Sequence, residues 1–375
     1  MRAKTLLLLA FFSLLGCGSD DVTGPVPGDF VYASVSAGKT HACAITETGL
    51  AYCWGANDEG QLGDGTQTDQ YLPVLVAGTS RFTEISAGQS HTCALDANGL
   101  AYCWGANWNG QLGDETTERR LGPVPVTGDL TFESIHAGRA HTCGLTPSGK
   151  AYCWGTVLEG ELVYPSSPFP SNHDMTFQQL DSQYSLICGL TEEEQLYCWG
   201  GIFATDYLLD WTVFPVLIDD GMAGYSITVG RGDVCGLSPT GEIVCWLGDD
   251  AFPEVGLIGP YLAADGAIFE HITRGTKPTC GIQPGGQAWC WSVNIDWRFG
   301  KNQVPEPPAF SHLSEVPGVA FASLSSSLSG VALNCGVAVP GQDGSEVFCW
   351  GHNTYGQLGD GTTERSDVPV KVLLP

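Results

Sequence analysis

Short apolar bursts separated by glycine-bearing turns run along this chain, and no long stretch repeats its apolar positions at the 3.6-residue period of a helix. The second of seven similar segments shows the pattern well. It reads as four strands, Phe82–Ala87, His91–Asp96, Leu100–Trp104 and Pro123–Val126, set apart by connections rich in Gly, Asn and Asp. Both faces of these strands are apolar. Cys93 and Leu95 lie on one face, Ala94 and Tyr102 on the other. Sheets that must be covered on both faces fit blades stacked around an axis.

The cysteines fix the repeat. They pair as Cys43 with Cys53, Cys93 with Cys103, Cys143 with Cys153, Cys188 with Cys198, Cys235 with Cys245, Cys280 with Cys290, and Cys335 with Cys349. Six pairs are spaced by ten residues and the last by fourteen. The first cysteines of successive pairs are 50, 50, 45, 47, 45 and 55 residues apart, and a tryptophan follows every second cysteine. A hairpin explains the spacing. If Cys93 faces Cys103, then Ala94 meets Tyr102 and Leu95 meets Ala101, leaving a three-residue loop, Ala97-Asn98-Gly99. Such loops are commonly a type I turn closed by a left-handed residue, which glycine supplies without strain. Glu192-Glu193-Glu194 lacks that glycine and fits least well. The register puts each cysteine pair at a non-hydrogen-bonded site, where Cα atoms are about 4.5 Å apart and a disulfide can form. Zinc sites favour cysteines two to four residues apart, a spacing these pairs do not have. Seven local disulfides are therefore expected, and no metal centre.

The phrase "YCWGANDEGQLGDGT" from Tyr52 returns as "YCWGANWNGQLGDET" and "FCWGHNTYGQLGDGT", and "ISAGQSHTCALDANG" precedes the second copy. These residues resemble the repeat of the regulator of chromosome condensation family. The resemblance is specific in repeats one, two, seven and the first half of three. Repeats four to six keep only the cysteines, glycine, tryptophan and spacing. It implies a seven-bladed β-propeller over residues 30–375, with about four antiparallel strands per blade. The closing strand "VPVKVLL" is expected to pair with the first blade and so join the N- and C-terminal strands into a ring.

The first residues add an address. Arg2 and Lys4 precede an apolar run of about eleven residues, too short to span a bilayer, and the pattern is that of an export signal. "LLGC", ending at Cys17, resembles a bacterial lipobox, which implies a signal peptide over residues 1–16 and a diacylglycerol on Cys17. Residues 17–29 would then be the lipidated cysteine and a polar tether. Cys17 is also the one cysteine of fifteen outside the repeat pairs, so lipidation accounts for it. Gly18, where an Asp would resemble an inner-membrane retention signal, favours the outer membrane.

Charge narrows the partners. The chain carries 41 acidic and 15 basic residues, a formal net charge of −26. Such a field repels phosphate backbones, and no Lys/Arg stripe offsets it, so nucleic acid is excluded as a partner. No Gly-x-Ser-x-Gly or His-Glu-x-x-His motif appears, and no catalytic residue or cofactor is assigned. His41, His91 and His141 recur two residues before a cysteine, as structural hydrogen-bonding groups would. Asp64, Asp114 and Asp360 recur in "GQLGD", where turn chemistry is expected of them. "RGD" at residues 231–233 is too short a match to carry weight. Trp289, next to Cys290, is expected in the core. Trp108, Trp297, Arg298 and Tyr355 fall on loops and are the candidate binding residues, since aromatic and Arg side chains on loops are typical interface anchors. The reading is an exported, lipid-anchored, monomeric propeller that binds another macromolecule at the bacterial envelope. Three alternatives stand beside it: an enzyme-inhibitor propeller; a guanine-nucleotide exchange factor, disfavoured by export and acidity; and a hydrolase or lyase with a site on the axis. An acid/base/nucleophile set on the axis would favour the enzyme; exposed aromatic surface would favour binding.

Overall fold

In the computed structural model, the described residues are 31–159, 161–163, 165–171, 175–183, 186–201, 211–230, 233–248, 257–263, 266–275, 279–291, 293–294, 309–310, 313–327, 332–340 and 345–374. They form seven blades of four antiparallel strands. The first blade is β1 (Tyr32–Ala37), β2 (His41–Thr46), β3 (Ala51–Gly55) and β4 (Gln70–Leu75), hydrogen-bonded in chain order. The second is β5 (Phe82–Ala87), β6 (His91–Asp96), β7 (Ala101–Gly105) and β8 (Arg120–Pro125). Its third and fourth strands are displaced from the sequence expectation, because a bulge between Cys103 and Gly105 lets Arg120 pair with Gly105 and starts the last strand earlier. Prolines at 73, 123, 215, 260 and 369 all fall in outermost strands, where a missing N–H costs no ladder bond.

The hairpin register is as expected in every repeat. Cys43 faces Cys53, Cys93 faces Cys103, Cys143 faces Cys153 and Cys188 faces Cys198. Cys235 faces Cys245, Cys280 faces Cys290 and Cys335 faces Cys349. All seven pairs are bonded, each within its own repeat. Their Cα–Cα distances are 4.0–4.1 Å at Cys153, Cys198, Cys245 and their counterparts alike, a little under the ~4.5 Å of a non-hydrogen-bonded pair. Gly99 closes its turn at φ 77°, and Glu194 takes the same left-handed conformation at φ 67° without being glycine. In the last repeat the four added residues leave the facing intact.

Ring closure differs from the expectation. The C-terminal strand Ser366–Lys371 pairs with Val347–Gly351 inside its own blade, and the N-terminal β1 pairs with β2. Among the described residues, no strand is exchanged between the first and last blades. They meet face to face in a core of Tyr32, Ala42, Ala44, Tyr52 and Trp54 against Leu333, Cys335, Val347, Leu358 and Val372. Tyr32 N–H also donates to the Ser345 carbonyl at 3.2 Å. Each repeat supplies a complete four-stranded blade, so no strand is left over to swap. Blades six and seven are joined differently: one long strand, Ser314–Ser326, is the outermost strand of the sixth and the innermost of the seventh.

The core lies between blades rather than within them. Between the first and second blades, Cys43, Ile45, Ala51 and Cys53 pack against Phe82, Ile85, Ala94 and Trp104. Cys143 and Cys153 meet Phe177 and Trp199 in the same way, Cys188 and Cys198 meet Trp246, and Cys235 and Cys245 meet Phe269 and Trp291. Each disulfide thus sits in the interface with the following blade, against that blade's Cys-Trp tryptophan. Phe132 packs on Trp154 with ring centroids 5.8 Å apart, and Phe177–Trp199, Phe269–Trp291 and Phe321–Trp350 repeat the arrangement. Trp289 departs from the expectation: it is half-buried, at the edge of the cluster around Trp291.

Innermost strands expose an edge of unpaired N–H groups to the axis, which a sheet must satisfy. Side chains of the preceding blade do so. Ser36 Oγ accepts from Ala87 N, Ser86 Oγ from Ala137 N, Asp181 Oδ2 from Val229 N, and Ser325 Oγ from Ala37 N, at 2.7–3.0 Å.

Candidate functional site

One end of each blade carries the hairpin between second and third strands, a three-residue turn in blades one to six; the other carries the connections between first and second and between third and fourth strands. The long third-to-fourth connection is built on a buried asparagine. Asn107 Nδ2 donates to Asp114 Oδ1 and to the Thr116 carbonyl, while its Oδ1 accepts from Leu112 N at 2.9 Å. Asn57 and Asn353 do the same in repeats one and seven. The aspartates do turn chemistry: Asp64, Asp114 and Asp360 each accept from the backbone N–H two residues on. Burial pushes the Asp114 carboxyl up, but hydrogen bonds from Thr116 and Arg120 outweigh it and hold the group below its usual range. The loop is also tied to the next blade, since Trp104 Nε1–H donates to the Gln61 carbonyl and Trp54 Nε1–H to that of Gln357, both at 2.9 Å.

These loops are therefore rigid platforms, and what projects from them is exposed. Trp108 is 57 % exposed and Tyr355 43 %. Sequence reasoning missed Tyr71 and Leu72, which lie on β4 and are 45 % and 39 % exposed. Gly361 N–H donates to the Tyr71 carbonyl at 3.0 Å, which brings them beside the loop that carries Tyr355. Trp297, Arg298 and Cys17 lie outside the described residues, as do Arg231 and Gly232 of the RGD tripeptide; Asp233 begins a strand.

The repeated histidines are structural. His41 Nε2 lies 2.9 Å from Thr92 Oγ1, whose proton goes to the Gln61 carbonyl at 2.8 Å. The hydroxyl can then only accept from the ring, which assigns the Nε2–H tautomer. His91, Thr142 and Gln111 form the same relay one blade further on. Burial drives the pKa of His41, His91 and His141 down to about 4, about 3 and about 4.

A second missed group lies on the axis. His136 Nδ1 is 3.3 Å from Asp181 Oδ1, and its Nε2 is 3.2 Å from Ser134 Oγ. Counting back seven residues from the first cysteine gives Ser36, Ser86, Thr228 and Thr273, but His136 and Asp181 in repeats three and four. That break in the column was readable. The three side chains line up as nucleophile, base and orienter would, but their chemistry is otherwise. Burial lowers the His136 pKa, and the Asp181 hydrogen bond and the Asp181 and Glu84 charges more than restore it, so the imidazole is held above its usual range. Nearby edge N–H groups that could hold an oxyanion are occupied: Ile135 N donates to Glu84 Oε1, and Ala137 N to Ser86 Oγ, both at 2.9 Å. The cluster ties blades two, three and four together.

Seven four-stranded blades around an axis define the class: this is a β-propeller protein. Its first repeats and its last match models of the regulator of chromosome condensation (RCC1) repeat, over residues 48–95, 98–145 and 345–375, and 32–61 and 82–111. Over 69 residues the chain is 48 % identical to the E3 ubiquitin-protein ligase HERC2 of Homo sapiens, a stretch that is 17 % of this chain and 1 % of that protein. The matched stretch is thus a small fraction of the relative's length. Among solved structures, human WBSCR16 aligns with a TM-score of 0.69 and 18 % identity, covering 87 % of this chain and 94 % of that one. Prp20p of Saccharomyces cerevisiae aligns with a TM-score of 0.68 and 20 % identity, covering 92 % and 87 %. At these identities the likeness is one of fold.

Proposed function

We propose that this protein is an exported, lipid-anchored propeller that binds another protein at the bacterial cell envelope. The observation that carries the reading is the set of exposed aromatic side chains: Trp108 and Tyr355, on loops that buried Asn107 and Asn353 make rigid, and Tyr71 on the adjoining strand β4. Aromatic anchors on a preorganised frame bind with little ordering cost. Prp20p, of the same fold, has reported binding to Gsp1p and histones and a complex with Kap60, which supports protein binding as a use of this architecture. The export signal and Leu14–Cys17 lipobox support the address, with the outer membrane favoured by Gly18. The occupied edge N–H groups beside His136 speak against an oxyanion site there, and the net charge of −26 against nucleic acid.

Two measurements test this. Replacing Cys17 by Ser should move the protein from the membrane to the soluble fraction or leave its signal uncleaved; normal processing with full membrane retention refutes lipidation. Affinity isolation from envelope extract with the full-length protein, set beside a Trp108→Ala/Tyr355→Ala variant, should recover a protein that the variant recovers at least about tenfold less. Equal recovery refutes the loop surface as the binding site.

A further inference from the structure

The first-to-second and seventh-to-first junctions between blades differ in their side chains. Between the first and second blades, Glu59 of the first-blade loop faces Arg119 of the second at 3.4 Å, and Leu121 behind them is half-buried. Between the seventh and first blades, Tyr355 stands where Glu59 does, Asp69 where Arg119 does, and Tyr71 and Leu72 replace Leu121 and Gly122. The backbone contact is the same in both: Gly65 N to the Leu121 carbonyl at 2.9 Å, and Gly361 N to the Tyr71 carbonyl at 3.0 Å. The side chains convert an ion-paired seam into an apolar one. A Cβ placed on Gly361 would stand 3.5 Å from Leu72 Cδ2 and 3.9 Å from Leu373 Cδ1, and one on Gly356 would stand 2.7 Å from Tyr71 Cα. Tyr71, Leu72, Tyr355 and Leu373 thus converge, and each is 39–45 % exposed.

Charge selects the occupant. Asp69, Asp360 and Glu364 flank the patch, while the cation beside it, Arg365, is bound to Asp367 at 2.7 Å. A second copy of a chain with net charge −26 would bring like charges together, which opposes self-association here.

We infer that the junction of the seventh and first blades, at Tyr71, Leu72, Tyr355 and Leu373, is the docking site for a basic protein segment with apolar anchors. This rests on the protein-binding reading and names the partner's chemistry. The test uses the full-length lipoprotein in its native membranes, with the photocrosslinker benzoylphenylalanine at Tyr355 or Leu373 and, on the hairpin face, at Ala97. Adducts at Tyr355 and Leu373 should map to peptides of net positive charge containing apolar residues. Their yield should fall at least about tenfold when Leu72→Ser is added, and again when salt rises from about 0.05 to 0.5 M. An unchanged near-ultraviolet circular dichroism spectrum keeps Leu72→Ser interpretable. Adducts to acidic peptides, to lipid or to a second copy overturn the proposal. Adducts from Ala97 alone overturn this site while sparing protein binding; no adduct from any position counts against both.

Discussion

Lowering the pH from 7 to 5 should destabilise this propeller through three buried histidines, His41, His91 and His141, the last with its Nε2 3.3 Å from Ser182 Oγ. His41 and His91 donate from Nε2 to threonine hydroxyls of the next blade, and neither Nδ1 has a hydrogen-bond partner among the described residues, so a second proton would be buried without an acceptor. Their pKa values, with that of His141, are lowered to about 4, about 3 and about 4, against about 6.5 unfolded. The sign follows: below about 6.5 the unfolded chain binds more protons than the folded one, so stability falls as pH drops toward the folded pKa. At pH 5 each histidine costs about 2 kcal/mol. At about 2.1 cal/mol/K of unfolding entropy per residue over 375 residues, that is about 2–3 °C in Tm per histidine. His136 acts oppositely. Its pKa is raised, so its contribution is full below about 6.5 and is lost as pH rises through the folded value; it adds no slope near pH 5. Glu84, raised by burial, shifts wild type and variant alike. The assay is calorimetric Tm from pH 7 to 5 under non-reducing conditions for wild type and His91→Gln, whose amide can still donate to Thr142. The variant should lose about 2–3 °C less over that range. An identical pH dependence would refute the neutral, buried assignment.

Further outcomes follow from single contacts. Asn107→Ala strips the partner from buried Leu112 N and should cost about 2–4 kcal/mol in denaturant unfolding, whereas its half-buried neighbour Asn109→Ala, which keeps its backbone N–H bond to Gln111 Oε1, should cost under about 1. Glu194→Gly relieves a left-handed residue and should stabilise by up to about 1 kcal/mol, while Gly99→Ala, whose Cβ would lie 2.7 Å from the Phe132 carbonyl, should destabilise; equal effects would contradict the turn assignment. Peptide mapping of unreduced protein should return seven bridges, each within one repeat, and replacing Cys93 and Cys103 together by Ser should cost about 3 kcal/mol; a bridge between repeats, such as Cys153 to Cys198 or Cys198 to Cys245, would overturn the hairpin register.

The sequence alone determined whatever happens inside one repeat. Cys93 opposite Cys103, the left-handed Gly99 and the apolar faces of β6 and β7 all follow from two-residue alternation and turn chemistry, which act over about ten residues. The seven-fold repetition then made the blade count legible. The repeated histidines and aspartates were legible as structural, though not their partners, and Trp108 and Tyr355 were legible as loop aromatics. Tertiary structure decided every meeting between blades. Nothing local says that Trp54 donates to Gln357 three hundred residues on, that the ring closes by packing instead of strand exchange, that His136 finds Asp181, or that Tyr71 and Leu72 come to lie beside Tyr355. The physical reason is that strand register is set by hydrogen bonds between neighbours in the chain. Which faces then touch depends on the angle at which separately specified sheets stack, and only the closed ring fixes that angle for all seven at once.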